Sequence, residues 1–208
     1  MQDAPVSLYG ATYSVYVRIC RMALAAKGVD HELVPVDVFA DGGPGQDHLE
    51  RHPFGKIPAF QHGEFGLFET DAIVSYIERE FDGPPLECLD AVHHARMRQL
   101  MRIVDNYAYP VLLWKCYVPE TSEDREVAPE SWDAAARVLA VVAGLMGPTW
   151  MAGTALSLAD IYMWAALAYF RRAEKGPELI AAHAGLSAWC ERMAQQPICV
   201  ATQYDVEG

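Results

Sequence analysis

The sequence predicts an α/β region followed by an all-helical region. Two observations support this fold class. Up to residue 80, short strand-like runs alternate with stretches of helical spacing, whereas no convincing strand follows the Pro-rich break at 82–85. The predicted domains are therefore residues 1–83 and 91–208, joined by a linker at residues 84–90.

The first region begins with a strand and a helix. The run Val6–Tyr9 is β-branched and aromatic and ends at Gly10, which is typical of a strand. Residues 14–27 have helical spacing, with Ser14 at the N-cap position and Gly28 just past the end.

The following elements predict a mixed sheet. Residues 31–36 indicate a second strand, in which Pro35 favours an edge position. Residues 57–60 and 66–68 are predicted to form a hairpin around Gly63, and residues 69–80 a further helix. The order βαβ and then ββα requires both parallel and antiparallel strand pairs, covered by helices.

The second region contains only predicted helices. Three helices occupy residues 91–117, 131–146 and 157–171, and the first of them is expected to bend near Pro110. Short helices follow Pro177 and Gly185, and the last of these ends at Pro197.

A capping box marks the start of the third of these helices. Ser157 and Asp160 have the spacing at which each side chain reaches the other's backbone amide, and Leu156 and Ile161 are placed as a hydrophobic staple. The apolar run 161–170 then predicts a helix buried on most faces. A catalytic role for Asp160 is the less favoured alternative, because a carboxylate at a helix start already has a structural partner.

Composition and charge exclude several classes of function. The chain has 28 acidic against 16 basic residues, a net charge of −12, which repels nucleic acid and anionic membrane surfaces. Its five cysteines include no C-x-x-C pair, which argues against a disulfide framework and a zinc site and fits a reducing cytosol. Residues 1–10 lack the pattern of a signal peptide, so we expect a cytoplasmic protein.

The first candidate site lies at the start of the first predicted helix. Unpaired backbone amides and the positive end of the helix dipole at Ser14 stabilise an anion or a thiolate. Ser14 as an N-cap alone is the structural alternative. Arg18, one turn later, is either a surface charge or a pairing partner.

Two further candidates flank the predicted hairpin. Pro58 opens a strand, which indicates either a cis bond or a trans edge proline; the cis form would present the backbone of Ile57 to a peptide-like ligand. Glu69 and Thr70 precede a helix and form either an N-cap with first-turn charge or a site for the charged groups of an amino acid.

In this order and spacing, the three motifs resemble the cytosolic glutathione transferase family of the serine type, as in the theta, phi, zeta and many bacterial classes. The resemblance runs from about Val6 to Pro197 and includes the S-L-A-D start of a helix. It implies a thioredoxin-like N-terminal domain joined to an all-α domain, in a homodimer. Glutathione is then the co-substrate, with no metal and no other cofactor.

The resemblance assigns roles to individual residues. Ser14 matches the hydroxyl that hydrogen-bonds the glutathione sulfur, and the backbone of Ile57, before a cis-Pro58, matches the partner of the cysteinyl part. Glu69 and Thr70 match the acid and hydroxyl pair that hold the γ-glutamyl end.

Lys56 is implied to help neutralise a glutathione carboxylate. Tyr9 is a rival activator, but it is expected to pack in the core. Residues of the helical region and one tyrosine are expected to line the pocket for the electrophile, with packing in the core as the alternative: Tyr13, Val104, Tyr107, Ala108 and Val111. Asp105 is a further candidate to reach the partner subunit's glutathione.

The sequence departs from the family in the loop that meets the glycine carboxylate. Other classes place His or Lys there, whereas residues 41–47 are acidic, so that Gln46, His48 or His52 substitutes or glutathione binds weakly. The predicted function is conjugation of the glutathione thiolate to an apolar electrophile. Glutathione-dependent isomerisation or dehalogenation and a non-catalytic dimeric binding protein are the alternatives.

Overall fold

The computed structural model describes residues 4–121 and 126–207. Within them, the chain up to Pro85 forms one compact unit, and the chain from Leu86 to Gln196 forms the second. The segment from Pro197 onward belongs to the first unit, whereas the sequence placed it in the helical domain. The physical reason is a buried arginine in the first unit, described below.

The first unit is built on a four-stranded mixed sheet. Its strands are β1 (Val6–Gly10), β2 (Glu32–Pro35), β3 (Ala59–His62) and β4 (Phe65–Phe68), in the spatial order β2-β1-β3-β4. β1 pairs in parallel with β2 and antiparallel with β3, and β3 pairs antiparallel with β4. The predicted thioredoxin-like, mixed sheet is confirmed, and the proline-containing β2 lies at an edge.

Three helices accompany the sheet: α1 (Val15–Ala26), α2 (Gln46–Arg51) and α3 (Thr70–Glu80). α1 and α3 pack against each other. α1 also lies close to the end of β1, since a Cβ built on Gly10 would come within 2.3 Å of the Val17 side chain. The α2 helix was not predicted, because its six residues lack a periodic apolar face.

The regular elements of the second unit, in its described part, are all helices. Its elements are α4 (Ala91–Ile103), a π-helical segment (Val104–Tyr117), α5 (Val118–Glu120), α6 (Pro129–Leu145), α7 (Leu158–Phe170), α8 (Gly176–Ala181) and α9 (Ala184–Ala194). A short helix, α10 (Pro197–Val200), and a 3₁₀ turn (Asp205–Glu207) follow in the first unit.

The long predicted helix at 91–117 changes its hydrogen bonding at Val104. From there the bonds follow the wider π-helical pattern, as between the Val118 amide and the Leu113 carbonyl, five residues earlier. Pro110 lies inside this segment and has no N–H to donate. A change from α- to π-helical bonding cannot be read from apolar spacing alone.

The capping box at the start of α7 is confirmed and is part of a larger network. Asp160 Oδ2 accepts from the amide and the hydroxyl of Ser157, both at 2.8 Å, while Oδ1 accepts from the Met151 amide and the Trp189 indole N–H, both at 2.8 Å. Burial raises the pKa of the Asp160 carboxyl, and these hydrogen bonds oppose that effect. Asp160 therefore has a structural role, and the catalytic alternative is not supported.

The remaining whole-chain features concern membranes, cysteines and metals. None of the described helices is long and apolar enough to cross a bilayer. All five cysteines are free thiols. Residues 4–121 and 126–207 contain no cluster of three or more side chains suited to holding a metal ion.

We expect Asp160→Ala to lower the free energy of unfolding by at least about 3 kcal/mol, because buried donors worth roughly 1 to 3 kcal/mol each lose their acceptor. Urea unfolding at pH 7 measures this. The exposed Asp133→Ala in α6 is the control, with an expected change within about 0.5 kcal/mol. A loss below about 1 kcal/mol for Asp160→Ala would show that the network contributes little.

Candidate functional site

The register of the sheet brings the three sequence motifs to one edge, namely the edge at which β1 and β4 end and β3 begins. Tyr9 near the end of β1 lies opposite Ala59 at the start of β3, which in turn lies opposite Phe68 at the end of β4. Ser14 follows β1, Ile57 precedes β3, and Glu69 directly follows β4. Because antiparallel neighbours end and begin at the same edge, all three motifs project from that edge.

Ser14 is the N-cap of α1 and keeps a hydrogen to donate. Its Oγ accepts from the Val17 amide at 3.3 Å, and its backbone is extended, with φ −78° and ψ 127°. The Ser14 side chain has no acceptor among the described residues for its hydroxyl hydrogen. The capping role uses an oxygen lone pair, so it leaves the hydroxyl proton available for a ligand.

The dipole of α1 favours an anion at this helix start. The first turn of α1 contains no acidic residue, so the partial positive charge of the helix N-terminus is not offset there. Tyr13, directly before Ser14, is a weaker acid than an ordinary tyrosine, since burial and the nearby Asp37 raise its pKa. The rival Tyr9 is half-buried rather than in the core, and its hydroxyl donates to Gln61 at 3.1 Å.

The bond between Ile57 and Pro58 is cis, which confirms one of the two forms considered from the sequence. β3 begins only at Ala59, so Ile57 lies outside the ladder. Its backbone N–H and C=O form no hydrogen bond with any described residue. Buried or half-buried backbone groups normally find partners, so these two are suited to a peptide-like ligand.

Glu69 has an unusual backbone conformation at the junction of β4 and α3. Its φ is +73°, a region that non-glycine residues rarely adopt, and no other described non-glycine residue has a positive φ. Glu69 occupies the N-cap of α3, but its side chain makes no capping hydrogen bond and remains exposed. Such conformations cluster at ligand-binding sites, which favours binding over simple capping. Thr70, the first residue of α3, is buried.

The structure distinguishes buried from exposed residues among those considered as partners of the glycine carboxylate in the loop before Ile57. His48 and His52 are both buried, and His48 Nε2 lies 2.7 Å from the carbonyl oxygen of Lys56, which ties α2 to this loop. The ring of His52 packs on Phe68 at 4.9 Å; burial lowers the pKa of His52, an effect that Glu69 opposes. The two buried histidines therefore contact the loop and β4 and are not exposed to meet a ligand.

Two exposed side chains remain at this loop. Gln46 begins α2, and Lys56 precedes Ile57; both are exposed to solvent. Lys56 is the cation of the pair and therefore fits the neutralisation of a carboxylate. Sequence reasoning missed the contact between His48 and Lys56, because it depends on the unpredicted helix α2.

The residues expected to line an electrophile pocket divide into exposed and buried ones. In the first unit, Tyr13 is 45% exposed and stacks on Phe39, with ring centroids 6.1 Å apart; sequence reasoning missed Phe39. In the π-helical segment Tyr107 is 60% exposed. Val111 is half-buried, whereas Val104 and Ala108 have no exposed surface.

Val104 and Ala108 therefore require a correction. Both pack in the interior, which was the alternative considered for this group, because helical spacing does not tell a core face from a ligand-facing one. Neither presents a surface to an electrophile in this structure. A role in contacting the electrophile stays a prediction for Tyr13, Tyr107 and Val111.

Arg18 and Asp105, whose roles the sequence left open, both have charged partners. Arg18 is fully buried and forms an ion pair with Glu207, so it is a pairing residue and not a surface charge. Asp105 lies 2.8 Å from Arg102, one turn earlier along the helix. A contact of Asp105 with a partner subunit's ligand stays a prediction.

Comparison with family models gives two matches. The model described as glutathione S-transferase, N-terminal domain, matches residues 4–79, and that described as glutathione S-transferase, C-terminal domain, matches residues 104–197. Together they cover most of the chain.

Individual relatives match over similar lengths. A probable glutathione S-transferase of Oryza sativa subsp. japonica is 32% identical over 166 residues, which are 76% of this chain and 77% of that protein. Glutathione S-transferase 1 of Zea mays is 31% identical over 203 residues, 93% of this chain and 94% of that protein. A solved structure of glutathione S-transferase III in apo form has a TM-score of 0.81 at 30% identity, covering 96% of this chain and 95% of that one.

Proposed function

The chain belongs to the glutathione S-transferase family, and from this premise we propose that it activates glutathione as a thiolate and conjugates it to an apolar electrophile. The observation that carries the proposal is the meeting of Ser14, Ile57 and Glu69 at one edge of the sheet. Each offers a different group: a hydroxyl hydrogen, a free backbone amide and carbonyl, and an exposed carboxylate. A tripeptide with a thiol and charged ends has complementary groups.

Binding is proposed to use the second and third motifs. The free backbone of Ile57 pairs with the cysteinyl part of glutathione as a short β-like contact. Glu69 accepts hydrogen bonds from the ammonium of the γ-glutamyl end, and the hydroxyl of Thr70, at the first position of α3, donates to its carboxylate. Lys56 neutralises the glycine carboxylate. These contacts fix the sulfur near the start of α1.

Catalysis is proposed to rest on thiolate stabilisation and proximity. A free thiol has a pKa of about 8.5, so only a few per cent is ionised at neutral pH. The Ser14 hydroxyl donates to the thiolate, and the amides at the start of α1 add the field of the helix dipole. The thiolate then attacks the electrophile held beside it, forming the carbon–sulfur bond as the leaving group departs or a double bond accepts the electron pair.

A homodimer is proposed as the assembly. Phe54, in the loop before Ile57, is 71% exposed although it packs edge-on against Phe68 at 6.1 Å. Aromatic side chains are enriched in protein interfaces, which supports a role of Phe54 there. The exposed apolar side chains of Leu89 and Val92 in the second unit are further candidates for the interface.

The cytoplasm is the proposed location. All five cysteines are free thiols, and four of them are buried. Free thiols persist in a reducing compartment, which supports this proposal. Glutathione is proposed as a co-substrate, with no metal or other cofactor.

Glu69→Ala is expected to raise the KM for glutathione by roughly 10- to 100-fold with a small effect on kcat. A carboxylate that holds an ammonium acts equally in the ground state and the transition state, and a charged hydrogen bond contributes about 1.5 to 3 kcal/mol. Initial rates at varied glutathione concentration measure this. Glu64→Ala, at an exposed carboxylate in the β3–β4 hairpin, is the control. An unchanged KM would reduce Glu69 to a residue of the helix start.

Ser14→Ala is expected to raise the thiol pKa of bound glutathione by about one to two units, since a hydrogen bond to a charged group is lost. The thiolate is then scarcer at low pH, so turnover at pH 6.5 falls by about 10- to 100-fold and recovers at high pH. The pH–rate profile with one aryl halide measures this shift.

Ser14→Gly separates the hydroxyl from the helix cap. Glycine at an N-cap costs only a few tenths of a kcal/mol, whereas alanine costs about 1 kcal/mol. We expect the same pH shift for both variants despite their different stabilities. A profile with the wild-type inflection in either variant would assign Ser14 to capping alone.

Phe54→Ser is expected to raise the dissociation constant of the homodimer by at least about 10-fold, because a buried aromatic anchor at an interface contributes about 2 kcal/mol or more. Sedimentation velocity over a range of concentrations measures this. Phe39→Ser is the matched control, since Phe39 is 70% exposed but lies beside Tyr13. Equal effects of the two substitutions, or a wild-type monomer, would contradict the proposed role of Phe54.

A further inference from the structure

The interior of the first unit contains a charged side chain that the proposed reaction does not use. Arg18 lies in the first turn of α1, and its side chain has no exposed surface. A buried guanidinium without a partner is strongly destabilising, so its partners are part of the fold.

Among the described residues, the partners of the two Nη atoms and of the guanidinium face come from one segment, residues 197–207, which we call the terminal latch. Glu207 forms an ion pair with Arg18 Nη1, and the Cys199 carbonyl oxygen accepts from Nη2 at 3.2 Å. The guanidinium also lies over the Tyr204 ring, 4.1 Å from its centroid. The Glu207 carboxylate in addition accepts from the Tyr204 amide at 2.9 Å, which holds the latch in its own conformation.

The anchored residue is directly connected to the candidate catalytic serine. The backbone N–H of Arg18 donates to the Ser14 carbonyl at 2.9 Å, the first hydrogen bond of α1. The preceding residue, Val17, donates its amide to Ser14 Oγ at 3.3 Å. A shift of this turn therefore moves both the hydroxyl and the amides that face the ligand.

We propose that the terminal latch positions Ser14: by clamping the Arg18 side chain, it fixes the first turn of α1 and so holds the hydroxyl and amide donors where the ligand sulfur binds. Arg18 and Glu207 are positioning residues, acting through α1 and not on the substrate. The proposal deepens the proposed glutathione activation and rests on it for its catalytic part.

The opposite end of the same helix offers a matched comparison. Lys27 at the C-cap of α1 pairs with Glu78 of α3 at 2.7 Å. The side chains of this pair are 3% and 12% exposed, against 0% and 11% for Arg18 and Glu207. Loss of either pair removes a similarly buried charge interaction from α1, but only one of them adjoins Ser14.

The test compares Glu207→Gln with Glu78→Gln. For Glu207→Gln we expect about 10-fold faster hydrogen exchange at the Val17 and Arg18 amides, and a thiol pKa of bound glutathione raised by about half a unit to one unit. The KM for glutathione should stay within about twofold, because the binding groups lie elsewhere. For Glu78→Gln, faster exchange should be confined to the last turn of α1, at an unchanged thiol pKa.

A double variant tests whether the effects of Glu207→Gln arise only from a loss of stability. Arg18→Met with Glu207→Gln removes both charges, so no uncompensated ion stays buried and the unfolding free energy should largely recover. Because the clamp is still missing, the thiol pKa should remain raised. Recovery of both quantities would mean that the pair serves stability alone.

The outcomes separate this inference from the proposed function. Unchanged exchange in the first turn for Glu207→Gln, or equal shifts of the thiol pKa in both single variants, would overturn the latch. A wild-type protein that binds glutathione with an ordinary thiol pKa would contradict the proposed function, and the exchange data would still decide whether the latch fixes the first turn.

Discussion

The register of β1, β3 and β4 is the constraint on which the candidate site depends. Tyr9, Ala59 and Phe68 lie directly opposite one another across three strands, so the chain leaves or enters all three at one edge. A slip of one residue would exchange the two faces of a strand and displace Ile57 or Glu69 from Ser14. Burial supports this register, since β1 alternates between buried and half-buried residues and its buried Leu8 lies opposite the buried Phe60.

The candidate site presents local positive groups although the chain as a whole is acidic. A net charge of −12 is unfavourable for an anionic ligand at long range, but it is screened beyond about 8 Å at physiological salt. The first turn of α1 has no acidic residue, and the exposed Lys56 directly precedes Ile57 of the site. The one carboxylate assigned to binding, Glu69, is proposed to meet the positive end of glutathione.

Both units use buried charge to fix the start of a helix. In the second unit, Asp160 joins the first turn of α7 to Met151 and Trp189. In the first, Arg18 joins the first turn of α1 to the segment ending at Glu207. A buried ion tolerates few alternative arrangements, because each loss of a partner is costly. The difference is that the turn held by Arg18 carries Ser14, the proposed catalytic residue.

The sequence by itself determined what depends on neighbours in the chain. The N-cap at Ser14, the hairpin around Gly63 and the capping box at Asp160 follow from residues within a few positions, and the order of strands and helices gave the fold class. The resemblance of the motifs identified the family. The cis bond before Pro58 was one of two forms that the local run allowed.

Only the tertiary structure decided what depends on distant residues. Arg18 and Glu207 are 189 positions apart, so nothing near Arg18 indicates that it is buried rather than a surface charge. The burial of Val104 and Ala108 and the contact of His48 with Lys56 likewise depend on packing between elements. Spacing along a helix defines its faces, but which face meets the core, a ligand or solvent is set by the elements that pack against it.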